Sequence, residues 1–174
     1  MTLVLHAHPY PRRSRGCAAL VAALRDLPQA HVRTLYELYP DFDVDVAAEQ
    51  AALEAAQRVV WLAPLYWYSV PALLHVWFEK VLMAAIAAQP HAEALAGKEC
   101  LWAVTTGAGS YRRGGRHDHE FREFVPAIEM TARYCGMRWL EPFVVHDPDG
   151  LDDAALRLRA DELRQRLATP PVAG

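Results

Sequence analysis

The sequence predicts a three-layer α/β sandwich in which a five-stranded parallel sheet, in the order 2-1-3-4-5, carries helices on both faces. Three observations predict it. Five short apolar runs alternate along the chain with five helix-like segments. Three of them, TLVLHA, RVVWLA and ECLWAVTT, are apolar runs rather than alternating ones, the pattern of strands buried on both faces. Strand–helix–strand connections are right-handed almost without exception, so such an alternation winds into a doubly wound sandwich, of which 2-1-3-4-5 is one common order. The 174 residues suit one domain with a full core, expected over 1–168, with a flexible tail over 169–174.

Taken in order, TLVLHA (2–7) reads as a buried strand closed by His8 and Pro9. Ser14 is placed to cap an Ala- and Leu-rich helix over about 14–27. HVRTLY (31–36) reads as a strand with one wetter face, and Asp45 caps a helix through AAEQAALEAA. RVVWLA (58–63) is a second fully apolar strand. Pro71 sits where proline suits a helix start, for a helix running to about Ala88. ECLWAVTT (99–106) is the third apolar strand, followed by a Gly-, Arg- and His-rich loop over 107–120. A helix then runs to Cys135, with Gly136 to end it. RWLEPFVV is the last strand, and Asp152 caps a closing amphipathic helix.

Composition narrows the function classes. Hydrophobic residues at 53% and charged residues at 22% mark a globular chain. A net charge of −3 argues against nucleic acid as the main partner, because such proteins carry a basic excess. Cys17, Cys100 and Cys135 are odd in number and far apart, with no metal-ligand spacing, and read as reduced structural thiols of a cytoplasmic protein. The most apolar stretch, 59–88, is interrupted by Pro64, Pro71, His75, Glu79 and Lys80, and no run reaches a membrane span.

In doubly wound sheets, ligands bind outside the carboxyl ends of the strands at the topological switch point. Three loops leave that edge near the switch: 8–14, 64–70 and 106–118. They are also the most unusual loops in the chain. The first leads into Ser14, Arg15, Gly16 and Cys17, a helix start whose free N–H groups and dipole attract an anion such as phosphate. It contains neither a dinucleotide fingerprint nor a Walker loop. Alone it reads as an ordinary capped helix with solvated arginines. The second, PLYWYS, presents flat aromatic faces and backbone donors that suit a planar, polar-edged ring such as an isoalloxazine, or else plugs the sheet end. The third, TTGAGSYRRGGRH, has glycines that let backbone approach a ligand, and carries Tyr111 and His117 as hydrogen-bond or proton donors. Arg12, Arg13, Arg15, Arg112, Arg113 and Arg116 gather at the same edge, either as a field that steers a phosphorylated pyridine nucleotide or as solvated loop charge. The helix after Pro71 is apolar on more than one face, from Leu73 to Met83, which points to a symmetric dimer or to burial between layers.

HAHPYPRRSR, LYELYPDFDVDVAAEQ, PLYWYSVPALLHVWFEKV, GKECLWAVTTGAG and YCGM together resemble the NAD(P)H:quinone oxidoreductase family of flavodoxin-like fold, over about residues 3–145. The nearest branch is the KefF/KefG type, cytosolic ancillary proteins of glutathione-regulated potassium efflux systems. The resemblance implies a flavin at a dimer interface, FMN rather than FAD for a chain of this length. Hydride would come from NADPH or NADH and pass to quinones. It implies a flavin phosphate and ribityl chain near His8, Ser14, Arg15, Gly16 and Cys17. It sets Leu65, Tyr66, Trp67 and Tyr68 along the isoalloxazine, and Thr105, Thr106, Gly107 and Ala108 at its polar edge. Tyr111 and His117 match the family's tyrosine and histidine beside the flavin. The chain departs from the motif at Ala108, often glycine, and at Cys17, often asparagine. A homodimer is implied, and an efflux transporter is implied as a possible membrane partner.

Overall fold

The sheet begins with β1, Thr2–His6, every residue of which is buried in a computed structural model that describes residues 1–87, 94–107 and 111–171. β1 pairs in parallel with β2 (Ala30–Thr34) on one side and β3 (Arg58–Pro64) on the other. β3 pairs with β4 (Glu99–Thr106), from Arg58 opposite Glu99 to Pro64 opposite Thr105. The strand order is 2-1-3-4-5, as the alternation of elements predicts, and the fold is flavodoxin-like.

The unbroken apolar strands follow from two cores rather than one. Leu3, Leu5, Val59, Trp61, Trp102 and Val104 face one layer of helices; Val4, Val60, Leu62, Leu101 and Ala103 face the other. Neighbours in a strand point to opposite faces, so a sheet covered twice needs apolar side chains at every position. Three predicted helix starts are capped as their residue types suggest. Ser14 accepts from Cys17 N at 3.1 Å to open α1 (Arg15–Arg25). Asp45 accepts from Ala48 N at 3.0 Å, and Asp152 from Ala155 N at 2.7 Å. Gly136, at φ +76°, ends the helix before it.

Three elements differ from expectation. β2 stops at Thr34, and Leu35–Leu38 turn into a short helix, α2. There Leu35 enters the core, and the Tyr36 hydroxyl accepts from Leu73 N at 3.2 Å. After α3 (Val46–Ala55), the helix from Pro71 is α4 (Ala72–Trp77), then a π-helical stretch over Phe78–Leu82, then α5 (Met83–Ala87). Its expected end, Ala88, lies outside the described residues. After α6 (Val125–Tyr134), the last strand comes in two pieces, β5 (Arg138–Trp139) and β6 (Phe143–His146), both paired with β4. The ladder lasts through Leu140 N, which donates to Cys100 O at 2.8 Å. It breaks at Glu141 and Pro142, where proline has no N–H to give. The chain closes with α7 (Asp153–Ala168) beside α1. Thr169, first residue of the expected tail, gives its carbonyl to Arg58 at 3.0 Å; residues 172–174 lie outside the described residues.

Buried charge is tied down away from the loops of interest. The Glu49 carboxylate, wholly buried, accepts from Arg33 Nε at 2.8 Å, Tyr39 Oη at 2.6 Å and Trp77 Nε1 at 2.9 Å. Burial, and the carboxylate that takes its proton's hydrogen bond, push Tyr39 up to about 12. Among the described residues no helix is long and apolar enough to cross a membrane.

Candidate functional site

A cleft of about 360 Å³ opens at the carboxyl ends of β1, β3 and β4, within the size range of small-molecule sites. Its walls are His8 and Tyr10 after β1, Arg13 to Gly16 at the start of α1, Pro64 to Tyr66 after β3, Thr105 to Gly107 at the end of β4, and Pro148 with Asp149 after β6. The three loops singled out in the sequence converge here because parallel strands point all their carboxyl ends one way.

One end of the cleft is made of backbone. The N–H of Cys17 is taken by Ser14 Oγ and that of Ala18 by Ser14 O, while those of Arg15 and Gly16 have no partner among the described residues. A helix start with unpaired donors favours an anion. Gly16 has a packing reason as well: a Cβ there would lie 2.6 Å from Pro148 Cβ and Cγ. The Arg15 guanidinium donates to Pro148 O, Leu151 O and Asp153, clamping α1 to the start of α7. Cys17 lies beneath the floor, its Sγ 3.3 Å from Thr105 Oγ1, and burial raises its thiol. His8 Nδ1 accepts from Tyr10 N at 3.0 Å, which puts the proton of the neutral ring on Nε2. Burial lowers its basicity, so the ring acts as a neutral donor. Gly107 has open space where a Cβ would stand, so backbone can lie against a ligand there.

A hairpin overhangs the cleft. Leu65 N is held by Thr105 O at 2.7 Å, and Tyr66 and Ser69 exchange backbone hydrogen bonds at 3.1 and 3.0 Å. Between them Trp67 (φ +50°) and Tyr68 (φ +63°) both adopt the left-handed conformation. Two-residue turns of this kind normally carry Asn-Gly, and a bulky residue there is strained. Trp67 is 93% exposed, the most exposed large hydrophobic residue among the described residues. The turn holds an aromatic ring out in solvent at a conformational cost. It also leaves the N–H groups of Trp67 and Tyr68 without partners among the described residues.

The third loop contributes side chains. Tyr111 and His117 stack with ring centroids 4.5 Å apart and planes 2° from parallel. Tyr68 meets His117 edge-on at 6.0 Å and Phe124 at 5.0 Å. Burial raises the Tyr111 hydroxyl, which keeps it a donor at neutral pH. Neither Tyr111 nor His117 lines the cleft. The link is His146, at the end of β6, whose Nδ1 is 2.9 Å from Thr106 Oγ1 and whose ring lies 6.3 Å from that of Tyr111.

Of the residues singled out in the sequence, His8, Ser14, Arg15, Gly16, Leu65, Tyr66, Thr105, Thr106 and Gly107 line one cleft. Trp67 and Tyr68 rise from its rim, Cys17 is under its floor, and Ala108 lies outside the described residues. Sequence reasoning missed Tyr10 as a lining residue, Pro148, Asp149 and His146. His146 ends the final strand and Pro148 and Asp149 follow it, and the rule that ligands meet strand carboxyl ends would have drawn attention to them.

The chain matches the family model of flavodoxin-like fold over residues 1–167. The glutathione-regulated potassium-efflux system ancillary protein KefF of Klebsiella aerogenes is 44% identical over 167 residues, 96% of this chain and 94% of that protein. Among solved structures, general stress protein 14 of Treponema denticola in complex with FMN superposes with a TM-score of 0.82 at 33% identity, covering 96% of this chain and 95% of that one. An NADPH-quinone reductase from P. pentosaceus does so at 0.85 and 28%, covering 99% of each. A thermophilic tryptophan halogenase from Streptomycin violaceusniger reaches 0.89 at 34%, covering 97% and 99%. The names attached to one fold are diverse, so function has to be argued from the site.

Proposed function

The chain belongs to the family of flavodoxin-like fold, and from that premise we propose that it is a flavin-dependent NAD(P)H oxidoreductase that passes two electrons to quinones or similar acceptors. The observation that carries this reading is the meeting, in one cleft, of an anion-binding helix start, an open glycine backbone and a hairpin with unpaired donors. These parts fit FMN. The N–H groups of Arg15 and Gly16, with Ser14, would hold the phosphate, and His8 would donate from Nε2 nearby. Leu65 to Tyr68 would lie along the isoalloxazine, with Thr105, Thr106 and Gly107 at its polar edge. Bound flavin would supply the redox chemistry, accepting hydride from NAD(P)H and handing it to the acceptor in a ping-pong cycle. FMN is favoured over FAD by the cleft's size and by the FMN complex of the Treponema denticola relative.

The protein's own part is orientation and charge. Tyr111, kept protonated by burial, and His117 stacked on it would stabilise the negative charge that builds at the ring's polar edge. Arg13 in the cleft wall, with Arg12, Arg112 and Arg116, would steer NADPH in preference to NADH. A symmetric dimer would cover the apolar groove between the π-helical stretch and α6, where Met83, Met130 and Tyr134 are exposed. Sedimentation equilibrium should then give a dimer at micromolar concentration.

The first test is the absorption spectrum and extracted cofactor of purified protein, followed by NAD(P)H oxidation with a panel of quinones. His117→Ala should slow stopped-flow NAD(P)H oxidation by about 10²-fold while FMN stays bound; an unchanged rate would remove that role. A colourless protein that gains no thermal stability from FMN or FAD would overturn the reading, since a ligand of the native state stabilises it by mass action.

A second reading rests on the 44% identity to KefF. Here the chain is a flavin-binding ancillary subunit of a potassium efflux transporter, cytoplasmic and held at the inner face of the membrane by that partner. Flavin-loaded protein with negligible quinone turnover, on which efflux nonetheless depends, would favour it.

A further inference from the structure

A second hollow opens on the α1 side of the sheet, where β1 and β2 end. It holds about 150 Å³ and shares no lining residue with the cleft. That is below the ~300 Å³ at which drug-sized ligands are held, and room for one small polar group. Four elements build it. His6 ends β1, and Thr34 stands opposite it at the end of β2. Side chains alternate along β1, so His6 leaves the sheet with Val4, toward α1, and not with Leu3 and Leu5. α1 lays Ala18, Val21, Ala22 and Arg25 over it, the i, i+3, i+4, i+7 spacing of one helical face. Arg12 comes from the short turn Pro11–Arg13, and Glu37 from α2.

The floor carries unmet polarity. His6 is 3% exposed, and neither ring nitrogen has a hydrogen-bond partner among the described residues. Either neutral tautomer leaves one N–H and one bare nitrogen without a partner, and a buried polar group in that state costs free energy. Burial, with His8 and Arg25 nearby, lowers the ring to about 4, so the floor is uncharged at pH 7. The walls carry unmet charge. Arg12, Arg25 and Glu37 are exposed, and none makes an ion pair with a described residue. Two guanidiniums against one carboxylate leave the hollow net positive. That disfavours a metal cation and favours an oxyanion, which guanidinium groups hold by charge-assisted hydrogen bonds. Glu37 then decides which oxyanion. A carboxylate only accepts, so it repels sulfate but takes a hydrogen bond from an oxyanion that keeps an O–H.

We propose that this hollow is a binding site for hydrogen phosphate, a small oxyanion that still carries one O–H. Arg12 and Arg25 hold its charged oxygens, Glu37 accepts from its hydroxyl, and His6 with Thr34 forms the polar floor that it covers. The site is separate from the cleft and does not rest on the flavin reading. It also lies on the opposite face of the sheet from the apolar groove at Phe78 and Leu82, so a dimer formed through that groove leaves it open.

The test is a titration of isotope-labelled protein with inorganic phosphate at pH 7.5, followed by amide and imidazole NMR, with sodium chloride holding the ionic strength constant. Amide shifts should saturate at Ala18, Ala22, Arg25 and Thr34, and the His6 ring nitrogens should shift with them. Arg12→Ala and Arg25→Ala should each weaken binding about 10-fold, the effect of one charge-assisted hydrogen bond. Both side chains are exposed, so neither variant threatens the fold. Wild type should bind phosphate at least ~10-fold more tightly than sulfate, and Glu37→Gln should bring the two within about 3-fold, because an amide can donate to sulfate. Shifts confined to Arg15, Gly16 and Gly107 would place phosphate in the cleft instead and overturn the inference. Shifts that never saturate, His6 ring resonances that stay put, unchanged affinity in both arginine variants, or equal affinity of wild type for phosphate and sulfate would overturn it as well.

Discussion

The two ends of the sheet are built on opposite principles. At the amino end of β3 and β4, Arg58 and Glu99 are both buried and paired. Arg58 also gives Nη1 to Leu167 O at 3.1 Å and Thr169 O at 3.0 Å, and Arg138 reaches Glu99 from β5. The pairing closes that end. At the carboxyl end, two helix N–H groups have no partner among the described residues, Gly107 has no described neighbour where a Cβ would stand, two aromatic residues sit in left-handed conformations, and His6 is 3% exposed with neither ring nitrogen hydrogen-bonded among the described residues. Left-handed strain and unmet backbone donors gather at this end, and the opposite end is tied by a buried ion pair.

The comparison can be broken most forcefully at its stable end. Glu99→Ala leaves the Arg58 guanidinium buried without its carboxylate and should cost ~3–5 kcal/mol in denaturant unfolding. The folded fraction should keep its flavin affinity, because the cleft is at the other end of the strands. A large loss of FMN affinity in folded protein would show that the two ends are not separable.

The next effect comes from His6. In the unfolded chain its imidazole titrates near 6.5, and in the folded protein burial, with His8 and Arg25 nearby, lowers it to about 4. The unfolded state thus takes up the proton first as pH falls. Stability present above pH 6.5 is lost progressively on the way to pH 4, by about 3 kcal/mol in all. Urea midpoints at pH 7.5 and 4.5 measure it, and His6→Gln should flatten that part of the profile. A profile identical in wild type and variant would mean that His6 does not titrate as its burial requires.

The smallest effect runs the other way. Replacing Trp67 and Tyr68 by Asn and Gly, the pair this turn prefers, should raise stability by ~1 kcal/mol as left-handed strain is relieved. It should also weaken FMN binding at least ~10-fold if the hairpin forms the ring's wall. Gain on both counts would show that the aromatics serve neither role.

Much of this was legible in the sequence because the signals are local. Ser14, Asp45 and Asp152 cap helices through contacts three residues away, and a fully apolar strand announces two covered faces. Trp67 and Tyr68 could be recognised as out of place in a turn, although their left-handed conformation could not. The short helix at Leu35 and the break at Pro142 escaped because each depends on partners elsewhere, Leu73 in one case and β4 in the other. Arg15 shows the limit most clearly. Its position at a helix start suggested an anion ligand, yet its guanidinium is spent on Pro148, Leu151 and Asp153, more than 130 residues away.

By itself, the order of apolar runs and caps determined the layers, the strand order and the edge at which the three unusual loops meet, because right-handed crossovers leave few alternatives. Only the tertiary structure decided which side chains at that edge face the cleft. It tied the Arg15 guanidinium to α7, put Cys17 beneath the floor, drew Tyr111 and His117 into one stack, and set His146 against Thr106. Those choices depend on distances between residues far apart in the chain, which local pattern does not encode.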